Sequence, residues 1–114
     1  MSEQQPSEQH IPEPIASFIA AVNGHDETAF LEAFVQGGYV DDWGRIFRGR
    51  DEIKAWSDKE FLGANGTLDV REVEVEGHVV TGVGDWRSSH ANGLSSFEFV
   101  PEEGRIASMT IREG

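Results

Sequence analysis

The sequence predicts an α+β fold: three N-terminal helices packed in a strongly curved, mainly antiparallel sheet, in the order α-α-β-β-α-β-β-β-β. Three observations carry this reading. Apolar residues recur at helical spacing in three stretches before Gly63. After it, apolar and polar residues alternate in four runs divided by turn residues. Two of those runs change phase in the middle, and a phase change in a strand signals a bulge and a bend. Early helices followed by a long antiparallel sheet are the pattern of helices covering one sheet face.

Residues 1–11 are polar and aperiodic and read as a disordered tail. Residues 12–114 read as one domain, a size that suits a single core. Pro12 and Pro14 suit the first turn of a helix, whose stripe is Ile15, Phe18, Ile19 and Val22. Asn23-Gly24 ends it. Asp26 is placed to cap a second helix, with Ala29, Phe30, Ala33 and Phe34 on its buried face and Gly37-Gly38 closing it. Residues 39–43 read as a short strand with Val40 and Trp43 in the core. Gly44-Arg45 is the expected turn, and residues 46–48, with Ile46 and Phe47 also read as core, pair back. Asp51 is expected to cap the third helix, with Ile53, Trp56, Phe61 and Leu62 as its stripe.

In the four late strands, Leu68 and Val70 share one parity and Val73 and Val75 the other, which predicts a bulge near Arg71-Glu72. Gly77-His78 is a turn. Gly82 and Gly84 mark a bend or a close backbone approach. Residues 90–93 read as a hairpin loop, Phe97 and Phe99 share a face, and 101–104 is a turn. Ile106 opposes Met109 and Ile111 in parity, a second sign of a bulge. A sheet curved this strongly around helices encloses a pocket at its open end.

Composition narrows the function. The 114 residues carry a formal net charge of -12, which repels phosphate backbones, so no nucleic-acid partner is expected. There is no apolar run of about 18 residues, so no membrane span is expected, and the polar N-terminus lacks a signal-peptide pattern. The expected location is cytoplasmic. With no cysteine, disulfides and thiolate sites are excluded. The four histidines, His10, His25, His78 and His90, fall in the tail, a loop and two turns, without ligand spacing on one element. No metal site and no cofactor are expected. Phosphate-loop, HExxH and GxSxG motifs are absent from the sequence.

The adjacent acids Asp41 and Asp42 stand out. Neighbouring strand residues point to opposite faces, so one of the two must point towards apolar packing. A carboxylate there is costly unless paired, hydrogen-bonded or useful. Parity alone does not say which of them it is. Asp51, Glu52, Asp58 and Glu60 read instead as a solvated edge with exposed ion pairs to nearby arginines.

The run FIAAVNGHDETAFLEAFVQGGYVDDWG, then FRGRDEIKAW, and GRIASM further on, together resemble the nuclear transport factor 2-like superfamily. The SnoaL-like branch and the steroid delta-isomerases look most similar, and the resemblance covers about residues 12–112. It implies a cystatin-like cone and makes Asp42, matching the strand acid of the isomerases, the inward carboxylate and candidate general base. Asp41 is then the outward neighbour. The resemblance also implies a pocket walled by Trp56, Phe97 and Phe99, with Phe18 and Ser95 at matched site positions, and a homodimer built on the outer sheet face. Trp43 is expected to help shape the same site, and the turn residue His90 is within reach of its rim.

The isomerase pattern is incomplete. Its oxyanion-binding tyrosine falls at Phe18, which cannot donate, and its protonated aspartic acid falls at about Ser95, a weaker donor. Losing one such donor typically costs about 100-fold or more, so steroid isomerase activity is not expected. Two readings follow. One is a proton-transfer enzyme, an isomerase or cyclase acting on a hydrophobic carbonyl compound through Asp42. The other is a non-catalytic small-molecule-binding or dimerisation module of the same fold, in which Asp42 pairs with an arginine, Arg45 or Arg87, or hydrogen-bonds a ligand.

Overall fold

The computed structural model describes residues 11–114. The expected polar tail lies outside these residues except for Ile11, which is half-buried against the core. Helix α1 spans Glu13–Asn23, with proline in its first turn. Its buried residues Ile15, Phe18 and Val22 follow the expected stripe, joined by Ala21. The left-handed residue that reverses the chain is His25, φ 55°, rather than Gly24. The turn is pinned from across the domain: Asn23 Nδ2 donates to Leu68 O at 2.9 Å, and Leu68 N donates to Asn23 Oδ1 at 2.7 Å.

Helix α2 is a short segment, Glu27–Glu32, capped by Asp26, which accepts from Ala29 N. The expected continuation to Gly37 does not occur. Phe34 already belongs to strand β1, Phe34–Asp42, where it is the register partner of Ile106. Pairing with a long central strand outweighs the weak helical preference of a segment holding Val35, Gly37 and Gly38.

Strand β2 is Arg45–Arg48, and the turn between β1 and β2 is Trp43-Gly44, both with positive φ (56° and 94°). Such a two-residue turn matches the strand twist, but it lifts Trp43 off the sheet. Trp43 is 59% and Ile46 49% exposed, so neither belongs to the core, while Val40 is fully buried. Helix α3, Gly49–Glu60, starts one turn earlier than Asp51 would place it. Arg48 is the N-cap, Asp51 sits in the first turn, and Glu52 accepts from Arg48 N at 2.8 Å. A short 3₁₀ turn, Leu62–Ala64, leads into β3, Thr67–Glu76; β4, Val79–Arg87; β5, Gly93–Glu102; and β6, Arg105–Glu113.

Among the described residues, six strands form one curled, unclosed sheet in the order β2-β1-β6-β5-β4-β3, and the β1–β6 pair is the one parallel pairing. Both expected bulges are present. Arg71 drops out of the β3–β4 ladder, and Ala107 drops out of the β5–β6 ladder. Extra residues on one strand increase local twist and bend it, curling the sheet around the helices. Gly84 is a close approach, since a Cβ there would lie 2.5 Å from Asp69 O.

Two groups of rings fill the concave side. Phe18, Phe30, Phe34 and Phe99 meet mostly edge to face, with centroids 5.4–5.7 Å apart. Phe47, Trp56, Phe61 and Trp86 form a stacked row with centroid steps of 5.8, 4.7 and 4.4 Å. Burying each such ring stabilises the fold by about 1.5–3 kcal/mol. The two groups meet at Phe30 and Phe61, whose centroids are 5.8 Å apart.

Candidate functional site: an aromatic cavity with a carboxylate–guanidinium cluster

Between the end of β1, the end of α3 and the β4–β5 loop lies a cavity of about 830 Å³. All three tryptophans, Trp43, Trp56 and Trp86, line it, with Phe61 and Phe97. The two adjacent acids are divided as strand parity requires. Asp41 faces β6, where Arg112 Nη1 and Nη2 reach its two oxygens at 3.0 and 3.1 Å. Gly44 N also donates to Asp41 at 2.7 Å, closing the hairpin. The Arg112 hydrogen bonds hold the Asp41 carboxyl below the usual carboxylate range.

Asp42 lies on the cavity side. Trp56 Nε1 donates to its Oδ2 at 3.0 Å, and Arg45 Nη2 donates to the same oxygen at 2.5 Å. Arg45 is placed by the hairpin, because Asp42 and Arg45 are register partners across the β1–β2 turn. The guanidinium continues to Glu60 at the end of α3, Nη2 to Oε1 at 2.6 Å and Nη1 to Oε2 at 3.1 Å. This forked bond to Glu60 is the main cause of a raised Arg45 pKa, and it lowers that of Glu60. Among the described residues no donor reaches Asp42 Oδ1. His90, in the β4–β5 loop, brings Nε2 to 3.3 Å from Glu60 Oε1.

Of the residues named from sequence, Asp42, Trp43, Trp56, Ser95, Phe97 and His90 line this cavity. Phe18 and Phe99 do not: they are at most 2% exposed and pack against each other at 5.5 Å. The reason is that α1 runs deep in the cone, so its apolar face meets the sheet floor rather than the open end. Ser95 turns its hydroxyl to Gly93 O at 3.3 Å.

Several lining residues were not among those named, Glu60, Phe61, Trp86 and Glu113 included. Glu60 had been read as solvated edge, but it lies one helical turn after Trp56, and residues four apart share a face. Arg45 had been read in the turn and as one of two arginines able to pair with Asp42, and that pairing is present. Trp86 shares parity with the buried Val80, which was the signal for it. Among the described residues no group of three potential metal ligands converges, and no helix is long and apolar enough to cross a membrane.

A helix-filled, curled sheet of this order has known counterparts. An NTF2-like protein of unknown function from Cytophaga hutchinsonii superposes with a TM-score of 0.76 at 17% identity, covering 98% of this chain and 93% of that one. The chain has the nuclear transport factor 2-like fold. Within that fold, the epoxide hydrolase/cyclase-like enzyme SalBIII, described in pyran ring formation in the polyether salinomycin, gives a TM-score of 0.81 at 20% identity. That match covers 96% of this chain and 95% of the enzyme. Rv0760c from Mycobacterium tuberculosis, in complex with estradiol-17β-hemisuccinate, gives 0.75 at 15% identity over 89% and 91% of the two chains. No family model matches the chain, and no curated protein matches it by sequence. The likeness is therefore one of fold, and the nuclear transport factor 2-like cone hosts several functions.

Proposed function

We propose that the chain binds a small hydrophobic molecule in this cavity and that Asp42 acts there as an acid–base group. The reaction is a proton transfer on a carbonyl compound, as in an isomerisation or cyclisation. One observation carries the proposal: Asp42 Oδ2 is fixed by Trp56 and Arg45, while Oδ1 has no donor among the described residues, at the wall of an aromatic cavity. A base needs one lone pair free and a fixed orientation. The bridge to Glu60 matters as well. When Asp42 takes up a proton, Arg45 keeps a carboxylate partner, so no guanidinium is left uncompensated. A cyclase-like enzyme and a steroid-ester complex among similar folds support the class of ligand. Steroid isomerisation is not part of the proposal, since Phe18 is in the core and the Ser95 hydroxyl is engaged with Gly93.

The 2.5 Å ion pair favours a second reading, a binding module without turnover, because a carboxylate held by a guanidinium is also a common structural pairing. The test compares wild type with Asp42→Asn. Exchange of α-protons of hydrophobic ketones into heavy water is followed by NMR, and ligand binding by tryptophan fluorescence. The enzyme reading expects exchange in wild type and a loss of about 100-fold or more in the variant. Binding with equal exchange in both proteins leaves only the module. The homodimer expected from the resemblance belongs to the same proposal, and a monomeric mass at micromolar concentration would count against it.

A further inference from the structure

The cavity's charge and its free ring faces constrain the ligand further, given the small-molecule reading above. Among the described residues, three carboxylates line it, Asp42, Glu60 and Glu113, against one guanidinium, Arg45. Both terminal nitrogens of Arg45 are already given to Asp42 and Glu60. An anionic ligand would have to displace one of those carboxylates to reach it. The count stays negative even with His90 protonated, and the chain as a whole carries -12. Low-dielectric walls around a site of one sign focus its field into the cleft.

The rings add a second, independent constraint. In the stacked row, Trp56 lies between Phe47 and Phe61, so both of its faces are covered. Trp86 has Phe61 stacked on one face only, with Phe97 tilted 56° to it at 6.1 Å. Trp43 pairs with no ring among the described residues and is 59% exposed beside Asp42. The one exposed indole in the lining is that of Trp43, and an indole face is the best aromatic partner for a cation. An exposed indole and an excess of carboxylates over cations together match a positively charged, weakly hydrated head on an apolar body.

We infer that the ligand of this cavity is a hydrophobic cation, a tertiary or quaternary amine whose charged head sits between the Asp42 end of the cavity and the Trp43 indole, with its apolar body towards the buried rings.

Three probes of one shape test this. They are benzyltrimethylammonium, its neutral isostere neopentylbenzene, and the anion phenylmethanesulfonate, titrated into ¹⁵N-labelled protein while the indole N–H signals are followed. The cation is expected to bind about tenfold or more tighter than the neutral probe, and the sulfonate weaker than both. Raising ionic strength should narrow that advantage. Glu113→Gln, which removes one of the three lining carboxylates, should also narrow it. Equal affinity for cation and neutral probe overturns the inference and leaves the small-molecule reading intact. Tightest binding of the sulfonate overturns it too, by showing that Arg45 governs the site. If no probe moves the indole signals, the cavity reading fails and takes this inference with it.

Discussion

The indole Nε1 of Trp56 donates to Asp42 Oδ2 at 3.0 Å, joining the middle of α3 to the last residue of β1. Trp56 is 4% exposed, and its ring lies in the stacked row between Phe47 and Phe61. One side chain therefore both packs the core and fixes the carboxylate at the cavity wall. Trp56→Phe keeps a ring but removes the donor and some volume. It is expected to lower stability by about 1–3 kcal/mol in urea unfolding. Asp42→Asn, which keeps an oxygen able to accept the indole N–H, should lower it less. The reverse order would show that the indole bond is not the anchor.

The Asp41–Arg112 pair gives stability a pH dependence of known sign. The folded-state pKa of Asp41 is depressed, first by its hydrogen bonds to Arg112. A depressed carboxyl stabilises the fold above its unfolded value, about 4, and that contribution is lost as pH falls through the lower folded value. Arg112→Gln should therefore be less stable than wild type at neutral pH, and the gap should shrink at about pH 3 and below. Urea midpoints at the two pH values measure it. A gap that is unchanged or wider in acid would assign Arg112 a role other than this pair.

Asn23 is the clasp between α1 and the β3 edge, accepting from and donating to the backbone of Leu68. Asn23→Ala leaves both backbone groups without that partner and should destabilise by about 2 kcal/mol. Amide exchange at Leu68 should accelerate more than exchange at Phe97 in the sheet centre. Equal acceleration at both would mean that the clasp acts only through global stability.

Gly66 makes room for Trp86. A Cβ there would fall 2.1 Å from the indole ring, and the ring lines the cavity. Gly66→Ala must displace Trp86, at about 1–3 kcal/mol in stability. The indole N–H signal of Trp86 should shift while that of Trp43 holds. An unchanged Trp86 signal would show that the backbone yields instead of the ring.

The fold was legible because its signals are local and repeated. The stripe of α1, the Asp26 cap and the two phase changes at Arg71 and Ala107 each follow from a few neighbouring residues. The failures occurred where distant pairing decides. Phe34 reads as helix until Ile106 is known to lie beside it, and Trp43 reads as core until the hairpin turn is placed under it. The site was half legible for a similar reason. Strand parity shows that Asp41 and Asp42 separate, but each also needs a partner from a distant element: Arg112 of β6 for Asp41, and Trp56 of α3 for Asp42, with Glu60 of α3 reached only through Arg45. Phe18 was drawn towards the pocket by the resemblance, whereas the depth of α1 in the cone puts it against Phe99.

The parallel β1–β6 pair imposes an order on folding. Asp42 and Ile111 are register partners, and β6 sits between β1 and β5 in the sheet. Before β6 docks, the β1–β2 hairpin has no bonded link to the strands β3–β5, and it must wait for the most non-local pairing in the sheet. Loop closure over such a separation is slow. Without β6 the pairing leaves two unjoined pieces of sheet, β1–β2 and β3–β5, each with an open edge, and open edges are where a chain is most exposed to misassociation. Docking of β6 covers both edges at once and makes the curled sheet continuous.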